Sequence, residues 1–200
     1  MRHAEESSAT GPATHGEGLA IWLTGLPCSG KSTLAEILRR RLLGEGYHVE
    51  VLDGDEVRAW LTPELGYSRA DRDANIRRIA QVARLLTRAG TITIVAVVSP
   101  FRAAREEARA LIGRFVEVYI HCPLEVCIRR DVKGMYRKAL NGQLAQFTGI
   151  SDPYEPPMSP ELTVQTDQET PQESVEHILE ALDRFGHLRL RRPAAQQTIE

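Results

Sequence analysis

Short apolar runs alternate regularly with longer amphipathic stretches from residue 18 to residue 188. The runs at 19–24 and 115–122 have the length of strands, and each precedes a stretch whose apolar residues have helical spacing. Strands that alternate with longer helices form right-handed crossovers, which place the strands parallel in one sheet. The sequence therefore predicts a three-layer α/β domain with a parallel sheet of about five strands.

The two ends of the chain and one internal segment lack this alternation. Residues 1–17 and 189–200 are polar, so we expect poorly ordered tails on a single domain spanning 18–188. Residues 131–160 carry three glycines and the proline-rich run DPYEPPMSP, with little apolar periodicity. A stretch of this length without regular structure is typical of a lid or a binding loop.

Charge and composition exclude several classes of protein. The 25 Lys and Arg nearly balance the 27 Asp and Glu, which does not suit a protein that binds nucleic acid by neutralising many phosphates. No apolar run approaches the ~20 residues that cross a bilayer, and residues 1–18 lack the apolar core of a signal peptide. The three cysteines, Cys28, Cys122 and Cys127, lack CxxC spacing, which disfavours a disulfide framework or a zinc site. We therefore expect a cytoplasmic protein with no nucleic-acid or membrane partner.

Residues 25–32, GLPCSGKS, match the phosphate-binding pattern GxxxxGK[ST] between a predicted strand and a predicted helix. Glycines let the backbone N–H groups turn toward a phosphate, and the helix N-terminus adds partial positive charge. Lys31 is then expected to reach the terminal phosphates of ATP, and Ser32 to bind Mg²⁺; the alternative is a glycine-rich turn without a ligand. The predicted ATP-binding residues are Gly25, Leu26, Pro27, Cys28, Ser29, Gly30, Lys31, Ser32 and Thr33.

Two carboxylates, Asp53 and Asp55, follow the second predicted strand. Ligands bind at the carboxyl ends of parallel strands, so both should lie beside the phosphate-binding loop. There they can bind Mg²⁺ or accept the proton of an acceptor hydroxyl, although a turn with a helix N-cap is the alternative for the same residues. The sequence has no NKxD, the usual guanine-reading element, which disfavours a GTPase.

Further polar residues follow the next helix and strand. Arg72 and Asn75 are three residues apart on one helix face, where they would present a guanidinium and an amide to an anionic substrate, or simply face solvent. Ser99 follows the apolar run 94–98, so we expect its hydroxyl to face the ligand crevice, with a helix cap as the alternative.

Six segments together resemble the adenylylsulfate kinase family, and they cover nearly all of 18–186 in the family's order. Members of this family transfer the γ-phosphoryl group of ATP to the 3′-hydroxyl of adenosine 5′-phosphosulfate (APS), which gives PAPS, the activated form of sulfate. The resemblance implies a P-loop NTPase-type fold with a lid, and ATP and Mg²⁺ as cofactors. The segments are GLPCSGKST (25–33), DGDEVR (53–58), LGYSRADRDANIRRIAQVA (65–83), SPFR (99–102), RDVKGMYRKA (130–139) and FTGISDPYEPP (147–157).

The same resemblance implies roles for individual residues. Tyr67 and Phe147 would stack on the adenine of APS, and Arg58 and Arg72 would bind its phosphosulfate. Ser99 matches a position described as a phosphoserine in some members. The implied catalytic residues are Lys31, Asp53, Asp55 and Ser99, with Ser32 and Asp53 as Mg²⁺ ligands. The implied APS contacts are Asp55, Arg58, Tyr67, the segment from Arg72 to Asn75, Val98, Ser99, Lys133 and Phe147.

Two alternatives compete with this interpretation. Another small-molecule kinase, of the gluconate or nucleoside-monophosphate type, would share the phosphate loop and lid but would not need the aromatic pair together with FTGI and SPFR. A catalytically silent nucleotide-binding regulator would not need Lys31, Ser32, Asp53 and Asp55, all of which are present. The resemblance also implies a homodimer, and it leaves a separate sulfurylase open as a partner.

Overall fold

The computed structural model describes residues 17–190. The predictions made for residues 1–16 and 191–200 lie outside the described residues. The described chain forms strands β1 (Leu19–Thr24), β2 (Val49–Asp53), β3 (Ile92–Ala96), β4 (Phe115–His121) and β5 (Leu162–Gln165). Its helices are α1 (Lys31–Gly44), α2 (Gly54–Leu61), α3 (Arg69–Arg88), α4 (Arg102–Ile112), α5 (Leu124–Arg130), α6 (Met135–Leu140) and α7 (Pro171–Arg184).

The five strands form one sheet in the order β2-β3-β1-β4-β5, and every neighbouring pair is parallel. This confirms the predicted α/β class and the predicted number of strands. The central strand β1 pairs with β3 on one side and β4 on the other, so the chain order reverses at β1. A crevice therefore opens beyond the carboxyl end of β1, which is where ligands bind in open parallel sheets.

Helices cover both faces of the sheet, which gives the expected three layers. Strand β1 is buried along its whole length, and its side chains alternate between two cores. Leu19, Ile21 and Leu23 pack into the core that includes Leu38 of α1 and Ile178 of α7. On the opposite face, α3 and α4 close the core around Ala20 and Trp22. The two cores hold the strand ends, and hence the loops of the crevice, in fixed positions.

The segment 131–160 has more fixed structure than its sequence indicates. It contains the short helix α6, whose Tyr136 is fully buried. The Tyr136 hydroxyl donates a hydrogen bond of 3.0 Å to the carbonyl of Pro27, and its ring meets Phe147 edge-on with centroids 5.0 Å apart. A helix of six residues is too short to show a clear apolar period, so the pattern of the sequence does not reveal it. The segment is therefore anchored directly against the phosphate-binding loop.

Candidate active site

The loop between β1 and α1 has the backbone that its glycines predict. Gly30 occupies the position before α1 with a φ of 105°. Residues other than glycine rarely adopt this backbone conformation. A Cβ at Gly25 would lie 2.5 Å from the carbonyl oxygen of Ile120, so only glycine fits beside β4. The N-terminus of α1 thus points into the crevice beyond β1, where its unpaired N–H groups can meet a phosphate.

Lys31 is the buried cation of this loop. Its Nζ donates hydrogen bonds to the carbonyls of Gly25 (3.0 Å) and Leu26 (2.7 Å), and it lies 3.4 Å from the hydroxyl of Ser29. Burial lowers the pKa of Lys31 to about 8, and nearby ionisable groups that include Asp53 offset part of this effect. Among the described residues the ammonium has only neutral oxygens as hydrogen-bond partners, and the phosphates of a nucleotide would be stronger ones.

Asp53 lies opposite the first turn of α1. Its Oδ2 accepts a hydrogen bond of 2.5 Å from the hydroxyl of Ser32, while its Oδ1 accepts one of 3.0 Å from the backbone N–H of Asp55. The residue is therefore the N-cap of α2, as one interpretation of the Asp-Gly-Asp sequence predicts, and it also faces the phosphate-binding loop. A hydroxyl and a carboxylate at one point suit Mg²⁺, which takes few protein ligands and keeps waters and substrate phosphates as the rest.

Asp55 faces the lid segment rather than α1. Its carboxylate forms an ion pair with Lys133, and both side chains are largely exposed. The hydrogen bond to Asp55 raises the pKa of Lys133 above its ordinary value, so the ammonium stays charged. The pair connects the end of β2 to the beginning of the lid across the mouth of the crevice.

These groups line one cavity of about 830 Å³ that extends from the phosphate-binding loop to the lid. The volume is in the range of sites that hold small-molecule ligands. The structure brings most of the predicted site residues together around this cavity. Those that line it are Pro27, Cys28, Gly30, Lys31, Ser32, Thr33, Asp53, Asp55, Tyr67, Arg72, Val98, Lys133 and Phe147.

Arg58 and Asn75 do not line the cavity. The Arg58 guanidinium donates to the carbonyls of Leu65 (3.1 Å) and Gly66 (3.0 Å) and lies 4.5 Å from the centroid of the Tyr67 ring. Asn75 is buried, and its side-chain carbonyl accepts a hydrogen bond of 2.7 Å from Thr62. In this structure both residues hold the segment between α2 and α3.

Ser99 is buried with 2% of its surface exposed, so the prediction that its hydroxyl faces the crevice is wrong. Its Oγ accepts a hydrogen bond of 3.1 Å from Trp22 Nε1 and donates one of 2.9 Å to Thr24. Strand β3 ends at Ala96, earlier than the apolar run of the sequence, and Ser99 then turns inward with a φ of 40°. It does not cap α4 either, because that position belongs to Phe101.

One end of the cavity is lined by residues that sequence reasoning missed. Arg130 donates a hydrogen bond of 3.2 Å to the hydroxyl of Thr166, and that hydroxyl in turn donates one of 2.8 Å to the carbonyl of Ser29. Thr166 directly follows β5, so the rule that ligands bind at strand ends could have identified it. The missed lining residues near the start of α1 are Arg130, Thr166, Glu169 and Pro171.

The fold and the site define a class of protein. A glycine-rich loop before a helix, a lysine at that helix's start, an aspartate facing it from the next strand and a lid segment over a cavity are features of P-loop nucleotide-binding phosphotransferases. Within residues 17–190, no helix has the combination of length and apolar character that a membrane span requires.

The chain belongs to the adenylylsulphate kinase family, whose profile matches residues 17–165. It is 53% identical to an adenylyl-sulfate kinase of Microcystis aeruginosa over 171 residues. The aligned region covers 86% of this chain and 94% of the relative. A bifunctional SAT/APS kinase of Sorangium cellulosum is 51% identical over 171 residues, or 86% of this chain and 29% of that protein. A solved structure of the Mycobacterium tuberculosis APS kinase in complex with AMPPNP and APS has a TM-score of 0.82 and 40% identity, and the match covers 84% of this chain and 99% of that one.

These comparisons confirm the predicted family and the predicted enzyme class. The protein is a kinase with a P-loop NTPase fold. The comparisons do not favour a kinase of the gluconate or nucleoside-monophosphate type, since relatives with 53% and 54% sequence identity are adenylyl-sulfate kinases.

Proposed function

We propose that the protein transfers the γ-phosphoryl group of ATP to the 3′-hydroxyl of APS, and that it thereby serves sulfate activation in the cytoplasm. The observation that carries this proposal is one cavity that joins a phosphate-binding loop, two carboxylates and two aromatic side chains. Membership of the adenylylsulphate kinase family supports it, as does the likeness to an APS kinase described with AMPPNP and APS.

ATP is proposed to bind with its phosphates at the N-terminus of α1. Lys31 would exchange the carbonyls of Gly25 and Leu26 for the β- and γ-phosphates, because charged oxygens are stronger partners for an ammonium. Ser32 and Asp53 would hold Mg²⁺, which neutralises the negative charge that the phosphates carry. The end of the cavity near Arg130 and Thr166 leaves room for the nucleoside.

APS is proposed to bind on the lid side of the cavity. Tyr67 and Phe147 supply aromatic faces for its adenine, and Lys133 supplies positive charge beside Asp55. Asp55 would orient the 3′-hydroxyl and accept its proton as the new bond to phosphorus forms. Since phosphoryl transfer needs little covalent chemistry from the protein, positioning and charge stabilisation account for most of the catalysis.

One assay tests this function most directly. The protein is incubated with ATP and Mg²⁺ and with APS, gluconate, AMP or CMP in turn, and ADP and the phosphorylated product are measured. We expect rapid turnover with APS alone, and PAPS as its product. Lys31→Ala is the matched control, which should lose nearly all turnover while it keeps its fold by circular dichroism. Turnover of gluconate or a nucleoside monophosphate in preference to APS would contradict the proposal.

The state of assembly is a separate proposal. We propose a homodimer in solution and a separate sulfurylase as a functional partner, since the Sorangium cellulosum relative is a bifunctional SAT/APS kinase. Light scattering of the purified protein should give twice the mass of 22.3 kDa. Gel filtration of the protein mixed with a sulfurylase tests the proposed partnership, and we expect the two proteins to elute together. Separate elution would contradict the partnership.

A further inference from the structure

We infer that Arg105 is a positioning residue, which holds the returning end of the lid segment, residues 153–156, against the loop that follows β3. The inference rests on the proposed function, because the lid segment carries Phe147 and the loop carries Val98, and both line the cavity where APS is proposed to bind. Arg105 lies in the first turn of α4 and is outside the cavity lining, with 3% of its surface exposed. It therefore acts on a ligand only through the segments that it holds.

Each nitrogen of the Arg105 guanidinium donates a hydrogen bond to a different part of the chain. Nη1 donates one of 2.6 Å to the carbonyl of Ser99 in the loop after β3, and Nη2 donates one of 2.7 Å to the carbonyl of Glu155. Nε donates a third, of 2.7 Å, to the buried carboxylate of Glu117 on β4, which compensates the buried charge. Because the guanidinium is a rigid plane, these bonds set where Ser99 and Glu155 lie relative to the sheet.

Stability alone does not account for a buried ion pair between Arg105 and Glu117. Moving two charges out of water costs free energy that their attraction barely recovers, and apolar side chains of similar size are often at least as stable in such a place. Apolar side chains, however, have no directed donors, whereas this guanidinium binds two main-chain carbonyls that are 56 residues apart in the sequence. The arginine therefore fixes the geometry of the two segments.

Contacts from the beginning of α4 hold the same end of the lid segment. The backbone N–H of Glu155 donates a hydrogen bond of 2.8 Å to the carbonyl of Pro100, and its carboxylate accepts one of 2.9 Å from the N–H of Arg102. Arg102 Nε donates a further one of 2.7 Å to the carbonyl of Pro156. Arg105 is the buried member of this set, and Arg102 lies nearer the surface.

The held end is connected to Phe147 by a tight turn. The N–H groups of Ser151 and Asp152 each donate a hydrogen bond of 3.1 Å to the carbonyl of Phe147. The N–H of Phe147 in turn donates one of 2.8 Å to the hydroxyl of Ser151. Pro153 follows directly, and its ring restricts the backbone between the turn and Glu155. A shift of Glu155 would therefore displace Phe147, and with it the aromatic face proposed for the adenine of APS.

Arg105→Lys tests this role, since lysine keeps the positive charge beside Glu117 but cannot donate along the three directions of the fork. We expect the KM for APS to rise about tenfold, while the KM for ATP changes little because its proposed phosphate site lies at α1. Backbone amide exchange at 148–155 should also become faster than in the wild type. A lower melting temperature with an unchanged KM for APS would overturn the inference, and so would an equal rise in both KM values.

Arg109→Lys is the matched control one turn later in α4. The Arg109 guanidinium donates hydrogen bonds of 2.6 and 2.8 Å to the carboxylate of Glu161 and lies 3.6 Å from the carboxylate of Glu117. It therefore belongs to the same charged cluster as Arg105, but its bonds join α4 to the sheet and to the start of β5. The variant should lower the melting temperature and leave the KM for APS unchanged.

Arg102→Ala keeps the test decisive if Arg105→Lys does not fold. It releases the carbonyl of Pro156 without leaving an unpaired charge in the interior. The KM for APS should rise by a smaller factor than in Arg105→Lys, and amide exchange at 154–155 should become faster. Should Arg105→Lys not fold, an unchanged KM and unchanged exchange in Arg102→Ala would overturn the inference. Failure of the wild-type protein to phosphorylate APS would instead overturn the proposed function, whatever the exchange pattern.

Discussion

The hydroxyl of Ser32 donates a hydrogen bond of 2.5 Å to the carboxylate of Asp53, and so joins the first turn of α1 to the carboxyl end of β2. The second oxygen of the same carboxylate caps α2 by accepting the N–H of Asp55. One aspartate therefore stabilises a helix and also faces the phosphate-binding loop, where the proposed function assigns it to Mg²⁺. Substitution can separate these two roles.

We expect Asp53→Asn to raise the Mg²⁺ concentration needed for half-maximal activity by at least about tenfold, because it removes a charged oxygen ligand. Its melting temperature should hardly change, since asparagine caps helices as well as aspartate does. Asp53→Ala should show the same Mg²⁺ effect and lose about 1 kcal/mol of stability with the cap. A Mg²⁺ titration and thermal melts of both variants check this. An unchanged Mg²⁺ requirement in Asp53→Asn would show that the metal is held elsewhere.

The burial of Lys31 predicts a pH-dependent stability. Its pKa of about 8 in the folded protein lies below its ordinary value of 10.5, so between these pH values the unfolded chain binds more protons. The free energy of unfolding should therefore rise as the pH increases from about 8 to about 10.5, by about 3 kcal/mol in total for this one group.

Comparison with Lys31→Met isolates that contribution, because other groups that titrate at high pH are shared by both proteins. Urea unfolding of both is measured across this pH window. The difference in stability between wild type and variant should shift in favour of the wild type as the pH rises. A difference that stays constant would show that the Lys31 ammonium is not destabilised by its burial.

Asp55 and Arg58 should give different kinetic defects. Asp55→Asn should lower kcat strongly, because the variant cannot accept the proton of the 3′-hydroxyl. Arg58→Ala should chiefly raise the KM for APS, since the guanidinium supports the Tyr67 ring and the segment around Leu65 and Gly66. Steady-state kinetics with each substrate varied in turn distinguish the two. If Arg58→Ala raised only the KM for ATP, the APS site would lie on the other side of the cavity.

The sequence was a good guide to the sheet and to the phosphate-binding loop, for physical reasons. Strands such as β1 are buried on both faces, so they are apolar throughout and easily recognised. The loop before Lys31 has local requirements for glycine that leave a local signature. Each feature is recognisable within a short stretch of sequence, although the carbonyl of Ile120 that excludes a Cβ at Gly25 belongs to β4.

The features that the sequence did not reveal concern side chains whose partners are distant in the sequence. Whether Ser99 faces the crevice or the core is decided by Trp22, which is 77 residues away. The hydrogen bond from Arg72 to Thr148 spans 76 residues, and no periodicity in α3 can reveal it. Tyr136 is buried because Pro27 and Phe147 lie beside it, although its own helix is only six residues long.

Ser99→Ala should keep substantial activity. The Ser99 hydroxyl accepts from Trp22 and donates to Thr24, and Thr24 in turn donates a hydrogen bond of 2.8 Å to the carbonyl of Val98. Within residues 17–190, Ser99 therefore has no carboxylate or histidine partner to activate it as a nucleophile. Its loss should disturb Val98 and weaken APS binding modestly. Complete loss of turnover, together with stoichiometric labelling of wild type by [γ-³²P]ATP without APS, would prove a covalent phosphoserine route instead.

The lid segment should respond to ligands unevenly. Its helix α6 is anchored through the buried Tyr136, whereas residues 141–146 are mostly exposed. We therefore expect amide exchange within 133–150 to slow most at 141–147 when ADP and APS are both bound, and less with ADP alone. Residues of α6 should already exchange slowly without ligand. Equal exchange at 141–147 with and without ligands would show a static segment.

Phe147→Ala tests whether that segment holds the substrate. The Phe147 ring is half-buried at the cavity wall, edge-on to Tyr136, so it offers a face to an adenine without a large rearrangement. Its loss should weaken APS binding by about 1–3 kcal/mol, the usual contribution of a base stacked on an aromatic ring. Leu140→Ala is a control in the same segment, because that side chain is 57% exposed and lies outside the cavity lining. If Phe147→Ala and Leu140→Ala gave the same KM for APS as the wild type, the segment would brace the phosphate-binding loop and take no part in holding the substrate.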